Sequence, residues 1–176
     1  MRTTHLLLLS ALAVGGVLSS PADAWAGRLR AHGAGTTAEG AHVRGTAAAG
    51  RGANGAFVRG HGSSTDAAGN TTGRSGAAVQ GANGGSAQRS GSWARNADGS
   101  ASHQSSASAT TAAGGNAHTS GAINRDADGT VSGSRSTTAT AAGGASYTGS
   151  TTVQDGSVSH TGTCTDSSGQ VVACRK

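Results

Sequence analysis

Gly84-Gly85-Ser86-Ala87 returns thirty residues further on as Gly114-Gly115-Asn116-Ala117. Ser90-Gly91 returns as Ser120-Gly121, Trp93 as Ile123, and Arg95-Asn96-Ala97-Asp98-Gly99 as Arg125-Asp126-Ala127-Asp128-Gly129. Agreement at one spacing over so many positions is an internal repeat, and a repeat marks a unit that stacks on its neighbours. Turn signals recur faster than the repeat. Gly-rich, Asn-Gly or Asp-Gly steps fall at 39–40, 52–55, 66–69, 81–84, 98–99, 113–115, 128–129, 143–144, 155–156 and 168–169, mostly twelve to sixteen residues apart. These residue pairs supply the positive φ angles of tight hairpin turns. Each thirty-residue repeat therefore holds two strand-turn units of about 15 residues.

Between turns the period is two. Thr130, Ser132, Ser134, Ser136, Thr138 and Thr140 share one parity, and Val131, Gly133, Arg135, Thr137, Ala139 and Ala141 the other. The same scheme holds for Ser100, Ser102, Gln104, Ser106, Ser108 and Thr110, and for Ser157, Ser159, Thr161, Thr163 and Thr165. Alternation of this length belongs to strand and not to helix. The one proline is Pro21, so nothing later in the chain interrupts a hydrogen-bond ladder. The expected fold is all-β: a repetitive antiparallel meander of eight to ten short strands, with a hydroxyl carpet on one face. The other face is expected to be a thin layer of Ala and Gly with occasional larger side chains. A transmembrane barrel also alternates, but it needs an apolar lipid-facing band with aromatic girdles. Ala, Gly and Arg fill that parity here.

Outward from the repeat, the chain divides. Residues 25–62 are richer in Gly and less regular, and are expected to be a Gly/Arg-rich, partly disordered arm preceding a β-repeat region at 63–176. Met1-Arg2, the apolar run 6–18 and the small-x-small ending Ala22-Asp23-Ala24 have the order of parts of a signal peptide spanning 1–24. About thirteen apolar residues are too few to span a bilayer, and no later run approaches that length. Secretion, to the periplasm or beyond, is the expected localisation, with no transmembrane segment after cleavage. Cys164 and Cys174, the only cysteines, are then expected to form a disulfide around a short terminal loop.

After residue 24 the large apolar side chains number fourteen, or fifteen with Cys164. A buried Val, Leu or Phe contributes roughly 1.5–3 kcal/mol, while fixing each backbone residue costs about 1–2 kcal/mol. So few cannot order the chain around a conventional core. Sheets whose backbone bonds carry the order, with small side chains closely stacked, are the alternative to disorder.

Charge is lopsided. Arg28, Arg30, Arg44, Arg51, Arg59, Arg74, Arg89 and Arg95 face only Glu39 and Asp66 in the first part, a net +6, whereas 96–176 carries about −1. Those eight arginines are the candidate contacts for an anionic polysaccharide or cell-surface polymer, because a guanidinium forks onto carboxylate or sulfate. No motif indicates a specific nucleic-acid partner.

Chemistry-bearing candidates are sparse. Asp126-x-Asp128-Gly129 has the spacing of a calcium-loop fragment, but Asp-Gly is already accounted for as a turn and no further acids follow at loop spacing. His32, His42, His61, His103, His118 and His160 are scattered without metal-ligand spacing. No serine sits in a Gly-x-Ser-x-Gly elbow, and the acids sit almost wholly in turns. The expectation is a protein that is not an enzyme and uses no cofactor or metal.

Ser75-Gly76-Ala77-Ala78-Val79-Gln80-Gly81-Ala82-Asn83-Gly84-Gly85-Ser86-Ala87-Gln88 resembles the repeats of curli-type secreted amyloid subunits. That resemblance covers fourteen residues and implies export and assembly into extracellular cross-β fibres. Together these features predict a secreted, self-associating structural protein of a surface or matrix. The alternative is a secreted binding module that uses the arginines or the hydroxyl face.

Overall fold

The computed structural model describes residues 27–174. The expected signal peptide at 1–24 lies outside the described residues. From Gly27 onward the chain is one antiparallel sheet of eleven strands whose spatial order is the chain order. They are β1 (Gly27–Thr36), β2 (His42–Gly52), β3 (Gly55–Thr65), β4 (Thr71–Gly81), β5 (Ser86–Arg95) and β6 (Ala101–Thr110). Then come β7 (Asn116–Arg125), β8 (Val131–Thr140), β9 (Ser146–Gln154), β10 (Ser157–Thr165) and the short β11 (Val171–Val172). The meander is as expected, with one strand beyond the upper bound. The segment expected to be an arm is different: 27–62 supplies β1, β2 and most of β3, paired along their full lengths. High Gly content does not break the ladder here, because glycines meet glycines across it, as at Gly45–Gly62 and Gly60–Gly76.

Eight of the connections share one shape. In the Asn96–Gly99 turn, Gly99 N–H donates to Asn96 C=O at 3.0 Å and Asn96 N–H donates to Ser100 C=O at 2.9 Å. The equivalent bond closes the turns ending at Gly40, Gly69, Gly84, Gly114, Gly129, Gly144 and Gly169. This is a type I turn followed by a left-handed residue, the three-residue hairpin loop; Gly99 sits at φ 87°. The other two connections are tighter. Ala53-Asn54 joins the paired Gly52 and Gly55, and Asp155-Gly156 has φ 50° and 77°, the type I′ pattern.

Among the described residues the sheet has no second layer. Substantial packing runs only between consecutive strands. Among the described residues no hydrophobic side chain is buried; the buried positions are Gly73, Gly115 and Gly149. Two of these glycines show how order is kept without a core. A Cβ at Gly73 would fall onto the Trp93 indole, and one at Gly149 onto the Tyr147 ring, so each aromatic covers bare backbone. Such aromatic cover restores contact that glycine lacks and helps hold register. At the C-terminal end β11 pairs with Cys164 and Thr165 alone. The Cys164–Cys174 disulfide, with Cα atoms 5.4 Å apart, ties that end to β10.

Candidate functional site: an arginine face and a hydroxyl face

Directly opposed residues of an antiparallel ladder point to the same side, so the pairing sorts the side chains into two faces. One row of directly paired residues runs Ser90, Ser106, Ser120, Ser136, Ser150 and Thr161 over six consecutive strands. The whole alternating set Ser132, Ser134, Ser136, Thr138 and Thr140 shares that face with Ser102, Ser106, Ser108 and Thr110 of β6. The β10 set from Ser157 to Thr165 joins them through β9. Neighbouring hydroxyls bond across strands: Ser90 to Ser106 at 2.9 Å, Thr152 to Ser159 at 2.8 Å and Ser146 to Thr165. Over β1–β4 this face becomes mostly Ala and Gly with Leu29, Val43 and Val58, a few polar residues (Ser64, Thr72, Gln80), and Arg51 and Arg74.

The opposite face gathers the remaining candidate arginines: Arg28, Arg30, Arg44, Arg59, Arg89 and Arg95. All six are exposed. Arg125 and Arg135 of the later strands lie on the same side. Along one row Arg30 opposes Ala48, Ala48 opposes Arg59, Arg59 opposes Ala77, and Ala77 opposes Arg89. The next row is apolar, running Phe57, Val79, Ala87, Ala109, Ala117, Ala139 and Tyr147. An open depression of about 450 Å³ over this strip is lined by Phe57, Val79 and Ala87 together with Arg59 and Arg89. Trp93, His103 and Ile123 form a further row toward the other end of the strands.

Some arginines are tied down. Arg44 Nε donates to Ser63 Oγ at 3.1 Å, Arg125 donates to the Gly99 carbonyl at 2.7 Å, and Arg135 reaches Thr119 Oγ1 at 3.4 Å. Among the described residues Arg30, Arg59 and Arg89 have no bonded partner. Five of the histidines also lie on this face, and three of them are paired with strand hydroxyls: His42 with Thr36 at 3.1 Å, His61 with Thr46 at 3.1 Å and His160 with Thr151 at 2.9 Å. His118 lies on the hydroxyl face. No group of three His, Cys, Asp or Glu side chains is placed to hold a metal ion among the described residues.

The acids of the turns serve the turns. Asp98 Oδ1 accepts from the Ser100 hydroxyl at 2.7 Å and its N–H at 2.8 Å, and these bonds hold its carboxyl below the ordinary range. Asp66 is lowered by the Asn70 side chain and then by its N–H, Asp128 by the Thr130 N–H, and Asp166 by the Ser168 hydroxyl and the Gln170 N–H. Asp128, the acid of the calcium-like spacing, thus accepts a backbone bond inside its own hairpin, 2.8 Å from Thr130 N. Turns at the same end also touch: Ala97 N–H donates to Asn70 Oδ1 at 3.0 Å.

Comparison with protein-family models, with curated proteins and with solved structures finds no match to this chain.

Proposed function

We propose that this chain is an exported structural protein that associates with copies of itself to form part of a surface or matrix, and has no catalytic role. The observation that carries the reading is the open single-layer sheet. Among the described residues β1 stands at one end of the sheet, ten residues long and exposed throughout, with one side of its backbone unpaired. At the other end β10 is covered by β11 only at Cys164 and Thr165. Long unprotected edges are templates for further strands, and two faces without a core gain by being covered. The Ser75–Gln88 stretch, similar to secreted fibre repeats, lies in the β4–β5 hairpin.

Charge favours one mode of contact. From 27 to 95 the described residues carry eight arginines against Glu39 and Asp66, a net +6. From 96 to 176 Arg125, Arg135, Arg175 and Lys176 face Asp98, Asp126, Asp128, Asp155 and Asp166, a net −1. Two β1 edges, each bearing Arg28 and Arg30, repel one another, whereas the β1 edge of one copy meets no cationic strand at the β10 edge of another. Head-to-tail pairing does not close on itself and grows as a filament. The test is sedimentation velocity over a concentration series, with circular dichroism on the same samples. The expected result is large species that grow with concentration and retain the β signal. A monomer at every concentration refutes the proposal.

A further inference from the structure

We propose that Arg30, Arg59 and Arg89 form a track for a linear anionic polysaccharide lying across the strands of the arginine face. This inference stands apart from self-association, since it concerns a face and not an edge. Strands lie about 4.8 Å apart, so arginines on every second strand recur at about 9.6 Å. Only the methyl groups of Ala48 and Ala77 stand between them. An extended glycan with one carboxylate or sulfate per disaccharide presents its charges at a comparable interval. Each charge then meets one guanidinium, whose planar fork matches the oxygens of such a group.

Three further features fit this ligand. The three guanidinium groups are exposed and unbonded, and so available. The strands of this half place no acid on the arginine face, since Glu39 and Asp66 lie in turns. Beside the track runs the apolar strip of Phe57, Val79, Ala87 and Ala109, on which the C–H faces of sugar rings can rest. Binding of single-stranded nucleic acid draws on successive aromatic platforms, and this strip has Phe57 alone along β3–β6. A small anion would meet one exposed, screened charge of little worth. A polymer engages the row at once, and the linked contacts add.

The test compares two double variants that remove the same charge from opposite faces: Arg59→Gln with Arg89→Gln, and Arg51→Gln with Arg74→Gln. Binding of hyaluronan, which has one carboxylate per disaccharide, is measured at low ionic strength, with neutral dextran and an oligothymidylate as parallel probes. Circular dichroism checks that both variants keep the sheet. Two exposed charge pairs predict a loss of roughly tenfold for the Arg59/Arg89 variant, and the Arg51/Arg74 variant should stay within about twofold. Hyaluronan should bind and dextran should not. Equal losses in the two variants would reduce the site to net charge and overturn the track. So would failure of the unaltered protein to bind hyaluronan, or equal binding of dextran. Tighter binding of oligothymidylate with the same face dependence would assign the face to nucleic acid instead.

Discussion

Gly143 and Gly144 are neighbours in one turn, and substituting each by valine separates backbone geometry from every other effect. A Cβ at Gly143 would meet nothing within 4 Å, and its φ is not in the left-handed region. A Cβ at Gly144 also has room, its nearest neighbours lying at Ser167, 3.7 Å away. What differs is φ, which is 90° at Gly144. A β-branched residue held there is strained by about 1–3 kcal/mol. A central value of ~2 kcal/mol lowers the unfolding midpoint of a chain this size by about 4–8 °C. Thermal unfolding followed by far-ultraviolet circular dichroism reads the difference directly. Gly143→Val is expected within about 1–2 °C of the unaltered protein, because a surface change without strain stays near ±0.5 kcal/mol. Gly144→Asn should recover part of the loss, since asparagine tolerates the left-handed region. Equal midpoints for the two valine variants would show that the turns do not carry the register.

Three other outcomes follow from the same structure. Asp66, Asp98, Asp128 and Asp166 are all held below the ordinary carboxylate value of about 3.9. Their turn bonds therefore stabilise the sheet fully above that value and are lost as pH falls through the depressed one, so acid unfolding should begin below about pH 4 and shift upward in Asp98→Ala. Reducing the Cys164–Cys174 disulfide should free the amides of β11 in hydrogen exchange while β6–β8 keep their protection, because the bridge spans a sequence separation of only 10. Trp93→Ala should cost about 1–2 kcal/mol in urea unfolding, for Trp93 is 38% exposed and loses only its cover of Gly73; a cost above about 3 kcal/mol would require a buried core that this sheet lacks.

The turns were legible because each needs a left-handed glycine and few residues other than glycine supply one. The strands were legible wherever hydroxyls alternate without a break, as from Ser132 to Thr140. β1 to β3 were not, for a physical reason. A strand that buries neither face has no need of apolar alternation, and residues such as Gly33, Gly45 and Gly62 leave no period to read. Their order comes from the ladder with the next strand, which is visible only once strands are paired. The same limit hid the arginine row. Arg30, Arg59 and Arg89 stand 29 and 30 residues apart, but whether they share a face depends on the length of every turn between them. The two-residue Ala53-Asn54 turn shortens one step, and the 29-residue spacing compensates for it. Counting charge over the first half located a basic region; only the register separated Arg51 and Arg74 from the rest.

The length of the repeat has its own explanation in this register. Turns recur every fifteen residues from Gly84 to Gly144, yet the sequence agrees with itself at thirty. Fifteen is odd, and a step of fifteen carries a residue to the next strand but to the opposite face: Arg89 leads to Gln104, which lies among the hydroxyls. A step of thirty restores both the face and the end of the sheet, so that Trp93 leads to Ile123 and then to Val153 in one row. Were the two faces chemically alike, residues would agree at fifteen. That they agree at thirty means the faces have been kept different, arginine and aromatic residues on one side and hydroxyls on the other, through successive copies of the unit. A sheet that served only to fill space would gain nothing from that difference, whereas one whose faces meet different surroundings depends on it.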